Sequence, residues 1–240
     1  MNAILTLTHN GLVRTQRALT SFVEQDIAVT VYAIDNGSTD GTLEWLRDRQ
    51  CLLYSFPNNA GVSVGWNKGL SLLFADPSCE SVLVVGNDTW LPSSFYRNLL
   101  ACNVPFVTGV AVGNMDQALE TPHLEPLENN PDFSAYCMKR DCWNRVGKFD
   151  ERMRLYSSDQ DYHLRAHRLG INLYKTPVPF YHERSSTLNL APPEEQAELL
   201  AQADRDRTVL KHKWGVSAGG PDYEALFTSA TFGIESNLVV

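Results

Sequence analysis

The chain has 240 residues and a net charge of −8. This length predicts one large domain, or one domain with an extension, and the acidic balance gives no overall attraction to nucleic acid or anionic membranes. The five cysteines are odd in number and form no CxxC pair, so we expect free thiols in a reducing compartment. With no signal-peptide pattern and no apolar run near ~20 residues, the sequence predicts a soluble, cytoplasmic protein without a transmembrane segment.

The first part of the chain alternates between strand and helix patterns. The apolar runs predict strands at 3–7, 29–34, 51–56 and 82–85, and helices at 12–25, 42–49 and 62–74. This β-α-β-α-β-α-β order predicts a parallel sheet with right-handed crossovers. Each strand ends in Asn, Asp, Gly or Thr, so polar groups gather at the carboxyl edge, where open α/β folds bind ligands.

The pattern is looser after residue 90. It predicts helices at 92–100, 140–146, 159–169 and 194–213, and strands at 106–112, 133–138 and 171–176, with a strand-like 178–180. Residues 114–132 are polar, contain three prolines and are predicted to be a long loop. The tail after residue 219 is weakly patterned.

The strand at 82–85 ends abruptly in Gly86, Asn87 and Asp88. Gly86 permits a sharp turn, which delivers Asp88 to the carboxyl edge of the sheet. A carboxylate at that edge can hold a hard cation that neutralises a bound diphosphate. The alternative is a strand followed by an ordinary polar turn.

Two other regions carry candidate binding residues. Thr8 and Asp35 each follow a strand, and Asp35 could accept a hydrogen bond from a nucleobase or merely shape an Asx-turn. Gly61 stands at a helix start, where backbone N–H groups favour anions, and Lys68 adds positive charge on that helix. The alternative there is a solvated helix start.

The second half of the chain supplies candidate catalytic groups. Asp159 and Asp161 lie two residues apart at a helix start and point in different directions. Asp159 could face a cleft as a general base while Asp161 caps the helix, or both could only cap it. His182 follows a strand and is either a metal ligand or an ordinary core or surface residue.

Taken together, the order of these motifs resembles glycosyltransferase family 2, whose members have the GT-A fold. The resemblance runs from about residue 4 to 187, and its most specific piece is the strand followed by DNGSTDGT at 35–42. It implies an α/β, Rossmann-like, mostly parallel central sheet flanked by helices. It also implies a domain at 1–190, with a nucleotide-binding half (1–90) and an acceptor and catalytic half (91–190), followed by a C-terminal helical extension at 191–240.

The resemblance also implies roles for individual residues. Asp159 is the expected base on the acceptor hydroxyl, and Asp88 and His182 are the expected ligands of Mn²⁺ or Mg²⁺. Two residues are expected to hold the base of the nucleotide, and five more are expected to complete the nucleotide site. These seven are Thr8 and Asp35, then Asn59, Gly61, Asn67, Lys68 and Asn87.

Two positions depart from the family pattern. Gly86 replaces the first carboxylate of the family's D-x-D motif, so metal affinity is expected to be lower, with waters completing the shell. Ser158 replaces the first residue of the family's Glu-Asp pair, which leaves Asp159 without an adjacent carboxylate that would have raised its pKa.

The resulting expectation is a metal-dependent, inverting glycosyltransferase that uses a UDP-, dTDP- or GDP-sugar. Its acceptor could be a glycan, a lipid-linked saccharide, a protein or a modified nucleic acid, and the loop at 114–132 with the C-terminal helix is the expected acceptor region. One alternative is a nucleotidyltransferase, although the loop after the first strand has one glycine rather than a glycine-rich, basic sequence. The other is a non-catalytic nucleotide-sugar-binding module.

Overall fold

The computed structural model describes residues 1–49, 51–113, 123–127, 131–183, 191–218 and 220–228. Its elements in chain order are β1 (Asn2–Thr8), α1 (Leu12–Val23), β2 (Thr30–Asn36), α2 (Thr42–Arg47), β3 (Leu52–Phe56), α3 (Val62–Phe74), β4 (Ser81–Gly86), β5 (Thr89–Trp90), α4 (Phe95–Ala101), β6 (Phe106–Val112), β7 (Glu125–Pro126), β8 (Ala135–Lys139), α5 (Arg140–Val146), α6 (Ser158–Arg168), β9 (Tyr174–His182), α7 (Pro193–Trp214) and α8 (Pro221–Thr228).

The strands form one central sheet in the order β3-β2-β1-β4-β8-β6-β9-β5, with β7 paired to β9. The pairs β1–β2, β1–β4 and β2–β3 are parallel, as the alternation of strands and helices predicts. The α/β class, with helices packed on a central sheet, is therefore confirmed. Because β1, β2 and β4 end side by side, the residues that follow them meet at one edge.

The rest of the sheet is mixed rather than mostly parallel. Strand β8 lies antiparallel between β4 and β6, and the short strands β5 and β7 run antiparallel to β9. Only the β6–β9 pair is parallel in this half of the described sheet. The order of predicted strands could not show this, because β8 returns to β4 from more than fifty residues away along the chain.

Two apolar layers cover the two faces of the sheet. Leu70 of α3, Trp143 of α5 and Tyr162 of α6 belong to the buried cluster on one face. Ala18 of α1 and Phe95 of α4 belong to the cluster on the other. Burial of the sheet on both faces explains why β4 is a continuous apolar run instead of an alternating one.

Several boundaries differ from the sequence prediction. Helix α4 begins at Phe95, since the Phe95 N–H donates to the Pro92 carbonyl in a preceding turn (3.0 Å). The predicted strands at 171–176 and 178–180 form one strand, β9, which continues through Pro177 and Pro179 beside an irregular register with β6. The weakly patterned tail contains helix α8.

Three further predictions concern the chain as a whole. The five cysteines are free, as expected. None of the helices in the described part of the chain is long and apolar enough to cross a membrane. Of the predicted loop at 114–132, residues 114–122 and 128–130 lie outside the described residues, while the short strand β7 lies between those two gaps.

Candidate functional site

A cavity of about 560 Å³ opens at the carboxyl edge of the sheet. Four of the predicted site residues line it: Asn87, Asp88, Asp159 and His182. They come from the end of β4, the start of α6 and the end of β9. The structure therefore brings together a candidate base and two candidate metal ligands that are separated by up to 94 positions in the sequence.

Asp88 and His182 are direct neighbours. The pairing of Thr89 with His182 between β5 and β9 aligns the two elements, and Asp88 Oδ2 lies 3.3 Å from His182 Nε2. The backbone N–H of Glu183 also donates to the Asp88 carbonyl (3.0 Å). The carboxylate suits either Mn²⁺ or Mg²⁺, and the imidazole nitrogen favours the transition metal Mn²⁺, if phosphate and water oxygens complete the shell. The described residues contain no group of three or more His, Cys, Asp or Glu side chains that could hold a metal unaided.

Gly86 is linked to the position of the Asp88 carboxylate. A Cβ at position 86 would lie 2.7 Å from Asp88 Oδ1, closer than real Cβ contacts. The Thr89 hydroxyl donates to the Gly86 carbonyl (2.8 Å) and closes the turn. Gly86 stands where the D-x-D motif has its first carboxylate. Because Gly86 has no side chain, the Asp88 carboxylate occupies the space beside it.

Asp159 lines the cavity at the start of α6 and is partly exposed. Burial raises the pKa of its carboxyl to about 7, the Asp132 carboxylate acts in the same direction, and the hydrogen bond from the Gln160 N–H opposes them. The elevated pKa thus arises without a carboxylate at position 158, through burial and Asp132. A carboxylate with a pKa near neutral is well suited to general-base catalysis.

Asp161 does not cap the helix, contrary to one alternative from the sequence. It is fully buried, and its carboxylate pairs with Arg165 Nε (2.9 Å) and Lys213 Nζ (2.8 Å). It also accepts a hydrogen bond from Trp214 Nε1 (2.8 Å). Lys213 and Trp214 belong to α7, so this network connects α6 to α7. The two aspartates therefore have different roles: Asp159 faces the cavity, and Asp161 connects helices.

Thr8 and Asp35 are adjacent but fully buried, and neither lines the large cavity. Asp35 Oδ1 lies 3.4 Å from the Thr8 hydroxyl, while Asp35 Oδ2 accepts from the Ser38 N–H (3.2 Å) and the Ser55 hydroxyl (3.1 Å). The Asp35 carboxylate thus binds the backbone N–H three residues on, at Ser38, and not the Gly37 N–H that an Asx-turn would use. Asp35 therefore shapes its loop, and a contact with a nucleobase stays a prediction.

At the N-terminus of α3, where Asn59 and Gly61 were predicted to help bind the nucleotide, three backbone N–H groups already have partners within the protein. The Asn36 Oδ1 atom accepts from the Ala60 N–H (2.8 Å), Asn59 Oδ1 accepts from the Gly61 N–H (2.9 Å), and the Arg154 carbonyl accepts from the Val62 N–H (2.6 Å). Protein groups therefore satisfy the N–H groups that lead into α3, including that of its first residue, and nucleotide binding by Asn59 and Gly61 stays a prediction.

Asn67 and Lys68 also lie outside the cavity lining. Asn67 is buried, and its amide donates to the Phe149 carbonyl (2.9 Å) and Glu151 (2.9 Å) and accepts from the Phe149 N–H (2.8 Å). The Lys68 ammonium sits 4.3 Å from the centre of the Tyr54 ring. Asn67 therefore fixes the segment before α6, and Lys68 is held by a cation–π contact instead of facing a ligand in the cavity.

Sequence reasoning missed Asp206, which lies in the middle of α7 and is fully buried. Its carboxylate accepts from three consecutive backbone N–H groups, those of Arg154 (3.1 Å), Leu155 (2.8 Å) and Tyr156 (2.9 Å). The next residue, Ser157, has a left-handed backbone (φ 64°) and leads directly into α6. Asp206 therefore fixes the segment that positions Asp159. A signal was present, because Asp206 lies three residues after Ala203 and four before Leu210, on the buried side of the helix.

We expect Asp206→Asn to impair both folding and the site. Each backbone N–H left without an acceptor costs about 1–3 kcal/mol, so the melting temperature should fall clearly. Asp204→Asn is the matched control, because Asp204 is an exposed residue of the same helix that pairs with Arg207. A normal melting temperature for Asp206→Asn in thermal unfolding would contradict the role assigned to this carboxylate.

These features define a class of protein. A sheet whose parallel half ends at a cavity, with a carboxylate–imidazole pair on one side and a carboxyl of raised pKa on the other, has the GT-A architecture of enzymes that transfer sugars. Comparison with known proteins agrees with this assignment. The sequence matches glycosyl transferase family 2 over residues 3–188, and the chain therefore belongs to that family and is a glycosyltransferase.

Solved structures show the same fold at low sequence identity. TarS 1–349 from S. aureus, in complex with UDP-GlcNAc, has a TM-score of 0.61 and 15% identity, with 90% of this chain and 73% of that chain covered. The mannosyltransferase PcManGT from Pyrobaculum calidifontis, in complex with GDP-Man and Mn²⁺, has a TM-score of 0.59 and 17% identity, with 98% and 76% covered. No curated protein matches the chain.

Proposed function

We propose that this glycosyltransferase transfers a sugar from a nucleotide-diphosphate sugar to an acceptor hydroxyl, with Asp159 as general base and with inversion at the anomeric carbon. The observation that carries the proposal is the single cavity shared by Asp159, Asp88 and His182. A donor diphosphate at Asp88 and an acceptor at Asp159 would then meet within one cavity. The neighbours in complex with UDP-GlcNAc and GDP-Man support a donor of this class.

Asp88 and His182 are the residues that would hold a divalent metal, and their adjacent oxygen and nitrogen atoms suit it. When bound, such an ion neutralises charge that develops on the departing diphosphate. The neighbour solved with GDP-Man and Mn²⁺ supports this part of the proposal. Asn87 stands beside Asp88, and its amide donates to the Thr15 hydroxyl (3.0 Å), which fixes the turn that presents the carboxylate.

Asp159 would accept the proton of the acceptor hydroxyl while that oxygen attacks the anomeric carbon. A direct displacement from the side opposite the leaving diphosphate inverts the configuration. The apolar environment that raises the pKa of Asp159 also keeps the carboxylate basic near neutral pH. The aromatic side chains of Trp66, Phe133 and Tyr156 line the same cavity and would exclude water from the reacting atoms.

A thermal-shift screen tests the donor. Purified protein is heated with UDP-, dTDP- and GDP-sugars, with and without Mn²⁺. One donor at a hundredfold excess over its dissociation constant should stabilise the protein by about 2.7 kcal/mol, and only with the metal present. A screen in which no nucleotide sugar raises the melting temperature under either condition would contradict the proposal.

The pKa of Asp159 predicts a pH dependence of both rate and stability. The base must be ionised, so kcat/KM should rise with pH through about 7 and then level off.

The same pKa predicts how the free energy of unfolding changes with pH. Because the folded state holds the Asp159 proton more tightly than the unfolded chain, the contribution of Asp159 to stability is present at low pH and is lost as pH rises through about 7. Wild type should therefore lose stability relative to Asp159→Asn between pH 5 and pH 8 in parallel thermal melts. Parallel curves for the two proteins would refute the assignment.

Asp35→Ala tests the nucleobase contact. If Asp35 holds the base, the variant should weaken nucleoside diphosphate binding by roughly 1–3 kcal/mol, whether or not metal is present. Ser55→Ala is the control, because it removes one hydrogen bond to Asp35 but leaves the carboxylate in place. An unchanged dissociation constant for Asp35→Ala in calorimetry would mean that Asp35 only shapes its loop.

A further inference from the structure

A second cavity lies beside the proposed transfer site. It has a volume of about 330 Å³ and is lined by Arg17 and Thr20 of α1 and by Trp90 and Tyr181, which are paired across β5 and β9. Trp90 is the largest exposed apolar side chain in the described part of the chain, with 38% of its surface open to solvent. A tryptophan and a tyrosine side by side on an open wall form a surface suited to the apolar face of a sugar ring.

One arginine, Arg17, lines this cavity, and a second, Arg14, borders the narrow gap beside it. Arg17 is exposed on α1, and Arg14 lies three residues earlier, on the same side of the helix. Neither guanidinium forms an ion pair with another described residue, and Arg14 Nη1 is buried without a hydrogen-bond acceptor among them. Because Arg14 Nη1 is buried, an anion in the cavity would contact Arg17, and Arg14 would add positive charge behind it.

This second cavity is connected to the proposed site through its lining. A narrow gap bordered by Arg14, Arg17 and Trp90 is also bordered by Asp88, which lines the larger cavity. Asp88 and Glu183 are the carboxylates in that gap. Without a bound metal, these two carboxylates repel an anion close to Asp88. In the second cavity, which neither carboxylate lines, Arg17 supplies positive charge.

We propose that this second cavity is a subsite for an anionic sugar unit of the acceptor that lies away from the reacting hydroxyl at Asp159, with the ring against Trp90 and Tyr181 and a phosphate or carboxylate on Arg17. The acceptor is then a negatively charged glycan. The proposal rests on the proposed sugar transfer and names its acceptor class. The local arginines matter because the chain as a whole carries a net charge of −8, which would otherwise repel such an acceptor.

Tryptophan fluorescence tests the subsite with three sugars that share one ring: glucose, glucose 6-phosphate and glucuronate. The two anionic sugars should bind at least about tenfold more tightly than glucose, as expected for a charged hydrogen bond. Whichever of the two binds more tightly shows whether the subsite prefers a phosphate or a carboxylate. Trp90→Phe should abolish the fluorescence change, while calorimetry with the same variant still reports binding. Arg17→Gln should remove the preference for anions, and Arg145→Gln, an exposed arginine on α5, should keep it.

Nucleoside diphosphate binding in Mn²⁺ is measured on the same samples, so the two proposals can fail separately. If the diphosphate binds but the three sugars bind equally, or if Arg17→Gln keeps the preference for anions, the subsite is refuted while the donor site stands. If Arg17→Gln weakens the diphosphate and leaves the sugars unaffected, the arginine belongs to the donor site and the proposed acceptor class is also refuted.

Discussion

Asp159→Asn is expected to reduce sugar transfer by about 10²–10⁴, the usual contribution of a positioned general base. Asparagine has nearly the same size and cannot accept the proton. It can still accept the Gln160 N–H, which Asp159 Oδ1 binds at 2.9 Å, so the start of α6 should persist. The substitution also removes a carboxyl that burial makes costly to ionise, so the variant should melt no lower than wild type at neutral pH.

The measurement combines transfer kinetics, donor affinity and thermal melting of the same preparations. Donor affinity should change little, because the base acts on the acceptor. Ser158→Ala is the matched control, since it alters the neighbouring residue at the departure from the family's Glu-Asp pair and leaves the base intact. A variant Asp159→Asn that melts normally and transfers sugar at the wild-type rate would remove Asp159 from the mechanism.

Asp88→Asn is expected to remove most of the metal-dependent part of nucleotide binding. Loss of a residue that merely hydrogen-bonds to a metal ligand typically lowers metal affinity by about 10–100-fold. Loss of the ligand itself should lower it by at least as much. Binding measured without metal should change much less. The comparison is made by calorimetry with a nucleoside diphosphate, with and without Mn²⁺.

Asp132→Asn serves as the control for Asp88→Asn. Asp132 lines the same cavity but lies on the side of Asp159, whose pKa it helps to raise. The control should keep metal-dependent binding and should shift the acid limb of the rate profile to lower pH. Equal nucleotide affinity for wild type and Asp88→Asn in the presence of metal would count against the assigned ligand.

The parallel half of the fold could be predicted from the sequence because its determinants are local. Each strand from β1 to β4 is a short apolar run that ends in turn-forming residues, and each helix between them begins directly after a glycine. Asp40 combines a local and a distant contact: its Oδ1 accepts from the Thr42 N–H at the start of α2 (3.1 Å), while its Oδ2 accepts from the Leu12 N–H at the start of α1 (3.0 Å). The strand runs and the glycines before the helices are short-range signals, which can be recognised without knowledge of the tertiary structure.

Long-range contacts account for the predictions that differed. Asn67 has the position of a ligand-binding residue in the motif, but its amide is used by Phe149, 82 residues later in the chain. Asp206 stands between Arg205 and Arg207 and resembles part of a solvated helix face, yet it binds a backbone segment 50–52 residues earlier. No local pattern encodes which distant groups will satisfy a buried amide or carboxylate.

The most direct test of sugar transfer is nucleoside diphosphate release from UDP-, dTDP- and GDP-sugars in Mn²⁺. Even without an acceptor, wild type should hydrolyse one donor slowly, with water in place of the acceptor hydroxyl, and both Asp88→Asn and Asp159→Asn should release far less. Donor binding without any release would instead indicate a binding module. Pyrophosphate formation from a nucleoside triphosphate and a sugar phosphate, with no donor consumed, would contradict the account and indicate a nucleotidyltransferase.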